Sequence, residues 1–108
     1  MKALMLCLLL LTSISVNAEV ASWYNLDGRK TASGEVFHNS KFTAAHRTLR
    51  FGTRVKVTNL RNGESVVVTV NDRGPFHSSR ALDLSKAAYD EIGNLNSGTM
   101  PVEYQVID

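Results

Sequence analysis

Four side chains of this 108-residue chain are placed to move protons: Glu35, His46, Asp72 and Asp83, each expected at a loop or a strand end. Asp72 stands in Val70-Asn71-Asp72-Arg73-Gly74-Pro75, where a valine-rich run stops against a carboxylate, a guanidinium and a rigid turn. A β-branched run favours burial, and whatever ends it is held at its mouth. Asn, Asp, Gly and Pro are also what any tight turn uses, so the same residues serve equally as punctuation. Glu35 reads as a loop acid or a catalytic one, since Glu is rarely buried. His46 is open between a structural and a catalytic role, and Asp83 is expected to bond near a helix start or to hold Arg80.

No nucleophilic triad and no glycine-rich phosphate loop is present. His38, His46 and His77 are not spaced as metal ligands on a helix turn, so neither a metal nor a cofactor is expected. Carboxylate chemistry remains, and carboxylates beside a groove lined by Trp, Tyr or Phe are the means of glycosidic cleavage. Trp23 and Tyr24 can supply a sugar-stacking face or buried core area.

The elements that must position these groups are short. Glu19–Tyr24 reads as a strand, residues 25–35 as a loop, and Phe42–His46 as a second strand. Arg54–Thr58 and Ser65–Val70 alternate as half-buried strands, joined through Asn62-Gly63, a pair that favours a two-residue turn with positive φ at both positions. Ala81–Leu84 is a further short strand. Residues 85–92 form the one helix, with Ser85 as N-cap, Leu84 and Tyr89 as a hydrophobic staple, and Gly93 at its C-terminal turn. Met100–Ile107, with Val102, Tyr104 and Val106 on one face, is the last strand. Six short strands and one helix favour a small closed β-barrel, because closure removes unpaired edges.

Residues 1–18 read as a secretory leader: Lys2 is its charged start, Ala3–Leu11 its apolar core and Val16-Asn17-Ala18 its cleavage site. The core is too short for a permanent anchor, which needs roughly 20 apolar residues. Residues 19–108 are then a single domain of 90 residues without cysteine, which excludes disulfides and a thiol nucleophile from the exported form. The formal charge of +2 falls to +1 without Lys2, with both signs interspersed, and gives no basis for a nucleic-acid partner.

Six ordered motifs identify a resemblance. ASWY at 21–24, TASGE at 31–35, TAAH at 43–46, VTNL at 57–60 with the following NG, VNDRGPF at 70–76 and RALDLS at 80–85 occur in the order and spacing of the RlpA-like family. The resemblance spans nearly all of residues 20–107. It implies a double-psi β-barrel, akin in fold to barwin proteins, expansins and family 45 endoglucanases, and an endolytic lytic transglycosylase acting on peptidoglycan strands stripped of stem peptides. Carried over by motif, the catalytic residues are Asp72, Glu35 and His46. Asp72 would protonate the leaving oxygen and later accept the C6 proton, kept protonated by burial against Val70, Pro75 and Phe76 or by the charge of Glu35. Glu35 would assist electrostatically or as a second acid/base, and His46 would orient a carboxylate or bond the sugar. Trp23, Tyr24, His38, Arg73 and Phe76 are expected to contact substrate, Arg73 chiefly by anchoring its turn. Many family members carry an aspartate where this chain has His38. A non-catalytic, expansin-like wall-binding module and a true hydrolase are the competing expectations. The chain is expected to act as a monomer in the periplasm or cell envelope.

Overall fold

Val55 and Val57 on one strand, and Val66, Val68 and Val70 on the next, are buried between exposed or half-buried neighbours, so pairing the two strands puts five valines on one face. These are β3 (Arg54–Asn59) and β4 (Ser65–Asp72), antiparallel with Val55 opposite Val68 and Val57 opposite Val66. The computed structural model describes residues 18–108; all of the expected leader except Ala18 lies outside the described residues. It closes this hairpin into a ring with β1 (Glu19–Tyr24), β2 (Thr43–Ala45), β5 (Leu82–Ser85) and β6 (Thr99–Val106). The order around the ring is β1-β5-β2-β4-β3-β6. The β1–β5 and β2–β4 pairs are parallel and the others antiparallel. Among the described residues, the six-stranded barrel with one short α-helix expected from the sequence is the architecture observed.

The helix α1 (Lys86–Ile92) seats Ala88, Tyr89 and Ile92 in the core beside Leu82 and Leu84. Ser85 caps it, its hydroxyl accepting from Ala88 N at 3.3 Å while also holding Thr43 N of β2 at 3.2 Å. The start of the helix is thereby tied to the strand that carries His46 at its end.

Two expectations for the turns need correction. Gly93 is extended (φ −161°), so α1 does not end on a left-handed residue; a Cβ at this position would run into Met100 Cε. The Ile92 carbonyl is instead satisfied by the side-chain amides of Asn59 (2.8 Å) and Asn62 (3.0 Å), from the hairpin on the facing side. That same duty changes the hairpin. Among its residues Gly63 alone has positive φ (76°), and its N–H returns to Asn59 O at 2.8 Å, so the connection is a four-residue loop over 60–63 rather than a two-residue turn.

The feature that builds the site is an irregularity in β4. Ala44 pairs with Val70 but Ala45 pairs with Asp72, so Asn71 is an extra residue, a β-bulge. Strict alternation would send Asn71 and Asp72 to opposite faces; here both side chains are buried. Bulges commonly re-aim side chains beside functional sites.

Candidate active site

Asp72 is 9% exposed, and its carboxylate is held from three directions. Oδ1 accepts from Ala32 N and from Arg73 N, both at 2.9 Å, and Oδ2 accepts from the Tyr24 hydroxyl at 3.0 Å. A carboxylate offers about four lone-pair positions, so one remains, on Oδ2. Burial and then the Asp72 charge push the Tyr24 hydroxyl strongly upward in pKa, which keeps it a donor at any working pH. The expected apolar surroundings are partly present: Val70 and Pro75 are buried, but Phe76 is 87% exposed and shields nothing.

Tyr24 is supported from beneath by Phe37, fully buried, with ring centroids 4.7 Å apart. Phe37 anchors the loop between β1 and β2 through Phe37 N to Arg29 O (2.7 Å) and Gly28 N to Phe37 O (2.9 Å). That loop carries Ala32, which bonds Asp72, and Glu35. Ser33 N also bonds Asn71 O at 3.2 Å, so the loop is stitched to the bulge at two consecutive residues.

His46 is fully engaged. Nδ1 accepts from Thr48 N (3.1 Å) and Leu49 N (3.0 Å), which fixes the ring proton on Nε2, 3.0 Å from the Tyr104 hydroxyl. Burial first, then the charges of Arg47 and Arg73, lower its pKa below the ordinary 6.5. The arrangement holds a loop and a tyrosine in place and leaves no ring nitrogen for a substrate; His46 meets Asp72 through the backbone, His46 N to Asp72 O at 3.1 Å. Because the unfolded ring takes a proton more readily than the folded one, its contribution to stability is complete above about pH 6.5 and declines as pH falls below that value. We expect the wild-type Tm to drop as pH falls below about 6.5, and His46→Asn, which keeps an acceptor for both amides, to flatten the profile there. Parallel profiles for the two proteins in calorimetry would contradict the assignment.

Arg73 is likewise committed within the protein: its guanidinium donates to Leu49 O (2.8 Å) and His46 O (3.2 Å) and lies 4.0 Å from the centre of the Phe51 ring. Arg47 staples the following loop, donating to Pro75 O (2.6 Å) and Arg80 O (2.8 Å), and so sets the position from which Phe76 projects. Trp23 packs against the core and its indole donates to Leu95 O at 3.1 Å. Asp83 accepts from the Ser22 hydroxyl rather than from Arg80 or the helix start, because Ser22 sits opposite it in the β1–β5 register. It flanks Ala45 on one side as Asp72 does on the other.

A groove of about 730 Å³ runs beside this cluster. Glu35, Val36 and His38 line it from the loop, Lys41, Phe42 and Thr43 from the approach to β2, and Thr69 and Asn71 from β4. The structure therefore brings Glu35 and His38 to one groove, and Asp72, Tyr24 and His46 to an adjoining cluster. The two meet at the Asn71–Asp72 peptide. Sequence reasoning passed over Asn71, Thr43 and Lys41, which line the groove, and the support given by Phe37 and Tyr104. Tyr104 was legible only as a core-face residue; its strand leaves the core toward Val106, which is exposed, and so carries the hydroxyl out to His46. Among the described residues, no group of three His, Cys, Asp or Glu side chains is arranged to hold a metal ion.

A family model described as lytic transglycolase matches residues 16–104. The probable endolytic peptidoglycan transglycosylase RlpA of Synechocystis is 54% identical over 94 residues, covering 85% of this chain and 29% of that protein. The endolytic peptidoglycan transglycosylase RlpA of Neisseria meningitidis is 52% identical over 89 residues, covering 81% of this chain and 37% of that one. The chain thus spans roughly a third of the length of these relatives. Among solved structures, the Streptomyces papain inhibitor superposes with a TM-score of 0.72 at 20% identity, over 89% of this chain and all of that one. A Clavibacter michiganensis expansin in complex with cellohexaose gives 0.69 at 21%, over 87% of this chain and 51% of that one. At these identities the superpositions speak to fold alone.

Proposed function

The chain belongs to the lytic transglycolase family of double-psi β-barrels, and from that premise we propose that it is an endolytic peptidoglycan transglycosylase with Asp72 as its acid and base. The observation that carries the reading is the buried Asp72 carboxylate, fixed by three donors with one lone-pair position unshared, and adjacent in the chain to Asn71, which lines a groove of about 730 Å³. A positioned group with a single open valence suits a reaction in which one proton is given and one regained.

The bond broken joins C1 of N-acetylmuramic acid to O4 of N-acetylglucosamine. Asp72 delivers its proton to the leaving O4. The muramyl C6 hydroxyl then bonds to C1, and its proton returns to Asp72. No water is consumed, the product is a 1,6-anhydro end, and the carboxyl group finishes as it began. Tyr24 and the Ala32 and Arg73 amides hold the carboxylate in one orientation throughout, and Glu35 places negative charge along the groove where positive charge develops on the sugar. The substrate in this reading is a glycan strand freed of its stem peptides, and the sequence of residues 1–18, which reads as a secretory leader, supports a monomer acting in the cell envelope.

His38 favours a second reading. It lines the groove where the family resemblance sets an aspartate, so a module that binds wall glycan without cleaving it would share the same groove. Mass spectrometry of products from naked glycan strands separates the outcomes. Anhydro ends are expected; intact but bound glycan would support the binding module, and reducing ends a hydrolase.

A further inference from the structure

Among the described residues, Phe76 is the most exposed of the large apolar side chains, at 87% against 52% for Val106. A single exposed apolar residue is ordinary on a protein surface, so exposure alone assigns it nothing. What sets Phe76 apart is how it is held. One nitrogen of Arg47, Nη1, donates to Pro75 O (2.6 Å) immediately before it and to Arg80 O (2.8 Å) at the far end of its loop, and hydrogen bonds from a charged donor are the strong ones. Between those points the loop closes on itself, Arg80 N donating to His77 O at 3.0 Å and the Ser79 hydroxyl meeting His77 Nδ1 at 2.8 Å. The ring rests on Gly74, where an added Cβ would stand 3.5 Å from Phe76 Cε2.

Gly74 follows Asp72 by two residues, at most about 7 Å of chain, so the ring stands within a disaccharide's reach of the carboxylate. Phe76 does not line the groove, whose wall meets Asp72 from the preceding side of β4, through Thr69 and Asn71. A reaction that cuts within a strand needs sugar held on both sides of the bond, and the groove supplies one side. An aromatic face suits the C–H-rich face of a pyranose, and a ring already fixed loses little freedom when a sugar covers it. We propose that Phe76 is a platform for one pyranose ring of the strand beyond Asp72, outside the groove, and that Arg47 is the positioning residue that holds the platform in place. The assignment deepens the glycan reading above and rests on it, and it gives the substrate contact expected of Phe76 a place along the strand.

The test measures binding of naked glycan strands by titration calorimetry in an Asp72→Asn parent, which removes turnover. Phe76→Ala is expected to weaken binding roughly five- to thirtyfold, as for uncovering about half an aromatic ring, and Phe76→Trp to stay within about threefold of the parent. Arg47→Ala is expected to weaken binding while Phe76 is present, and to add less than about twofold once Phe76 is alanine, because its effect passes through the ring. With Asp72 intact, both alanine substitutions should raise KM by a similar factor and leave kcat within about threefold, a split that a general loosening of the fold would not produce. Binding by Phe76→Ala within about twofold of the parent overturns the platform alone, and a fully additive effect of Arg47→Ala overturns its positioning role. A parent that binds no strand overturns the platform together with the glycan reading. Binding that depends on Phe76, in a protein that with Asp72 intact releases no anhydro ends, sustains the platform and overturns the catalytic reading.

Discussion

Asp72→Asn is expected to slow release of anhydro products by ~10²- to 10⁴-fold, the usual worth of a positioned proton transfer, while the protein stays folded and still binds glycan. The reason it should fold lies in the donors. An asparagine oxygen in place of Oδ1 still accepts from Ala32 N and Arg73 N, and the amide nitrogen in place of Oδ2 can donate to the Tyr24 oxygen once that hydroxyl turns about. Every contact is kept in reversed or equivalent form, and only the titrating position is gone. Product quantification on naked strands, alongside a melting curve, makes the comparison. A variant within about threefold of the wild-type rate would remove Asp72 from the chemistry.

The largest effect on stability is expected at Phe37. Truncating a fully buried phenylalanine to alanine costs about 3–5 kcal/mol, which in a domain of this size lowers Tm by more than about 12 °C. Phe37→Ala also withdraws the ring beneath Tyr24 and loosens the loop whose Ala32 amide holds Asp72. Turnover should therefore fall even when assayed well below the variant's Tm. Phe37→Leu, which keeps most of the volume, is expected to cost less than about 1.5 kcal/mol and to retain most activity. If Phe37→Ala melted within about 3 °C of wild type, the loop would not share the barrel's cooperative unit.

Local pattern carried the barrel's staves. Valine alternation located β3 and β4 to within two residues, and Ser85 with Leu84 and Tyr89 marked the helix, because burial on one face is written into neighbouring residues. The turn at Asn62-Gly63 was legible as a hairpin but not in its form, since Asn62 serves a carbonyl of a helix 30 residues away. His46 shows the same limit: TAAH locates the imidazole, but the partner of its Nε2 is Tyr104, from the final strand. The bulge at Asn71 was beyond sequence reasoning altogether. An extra residue in β4 exists only relative to β2, whose register no local periodicity records.

The last stave has a kinetic consequence. β6 lies between β1 and β3, pairing with the first and third strands of the chain at once. Until β6 is in place, both of those strands keep an open edge, so the ring cannot close on the first five strands alone. Folding must then be a late, concerted event governed by contacts far apart in sequence, which is slow compared with helical assembly. A chain shortened by its final ten residues would carry two sticky borders instead of none, and its fate would be self-association rather than a smaller barrel.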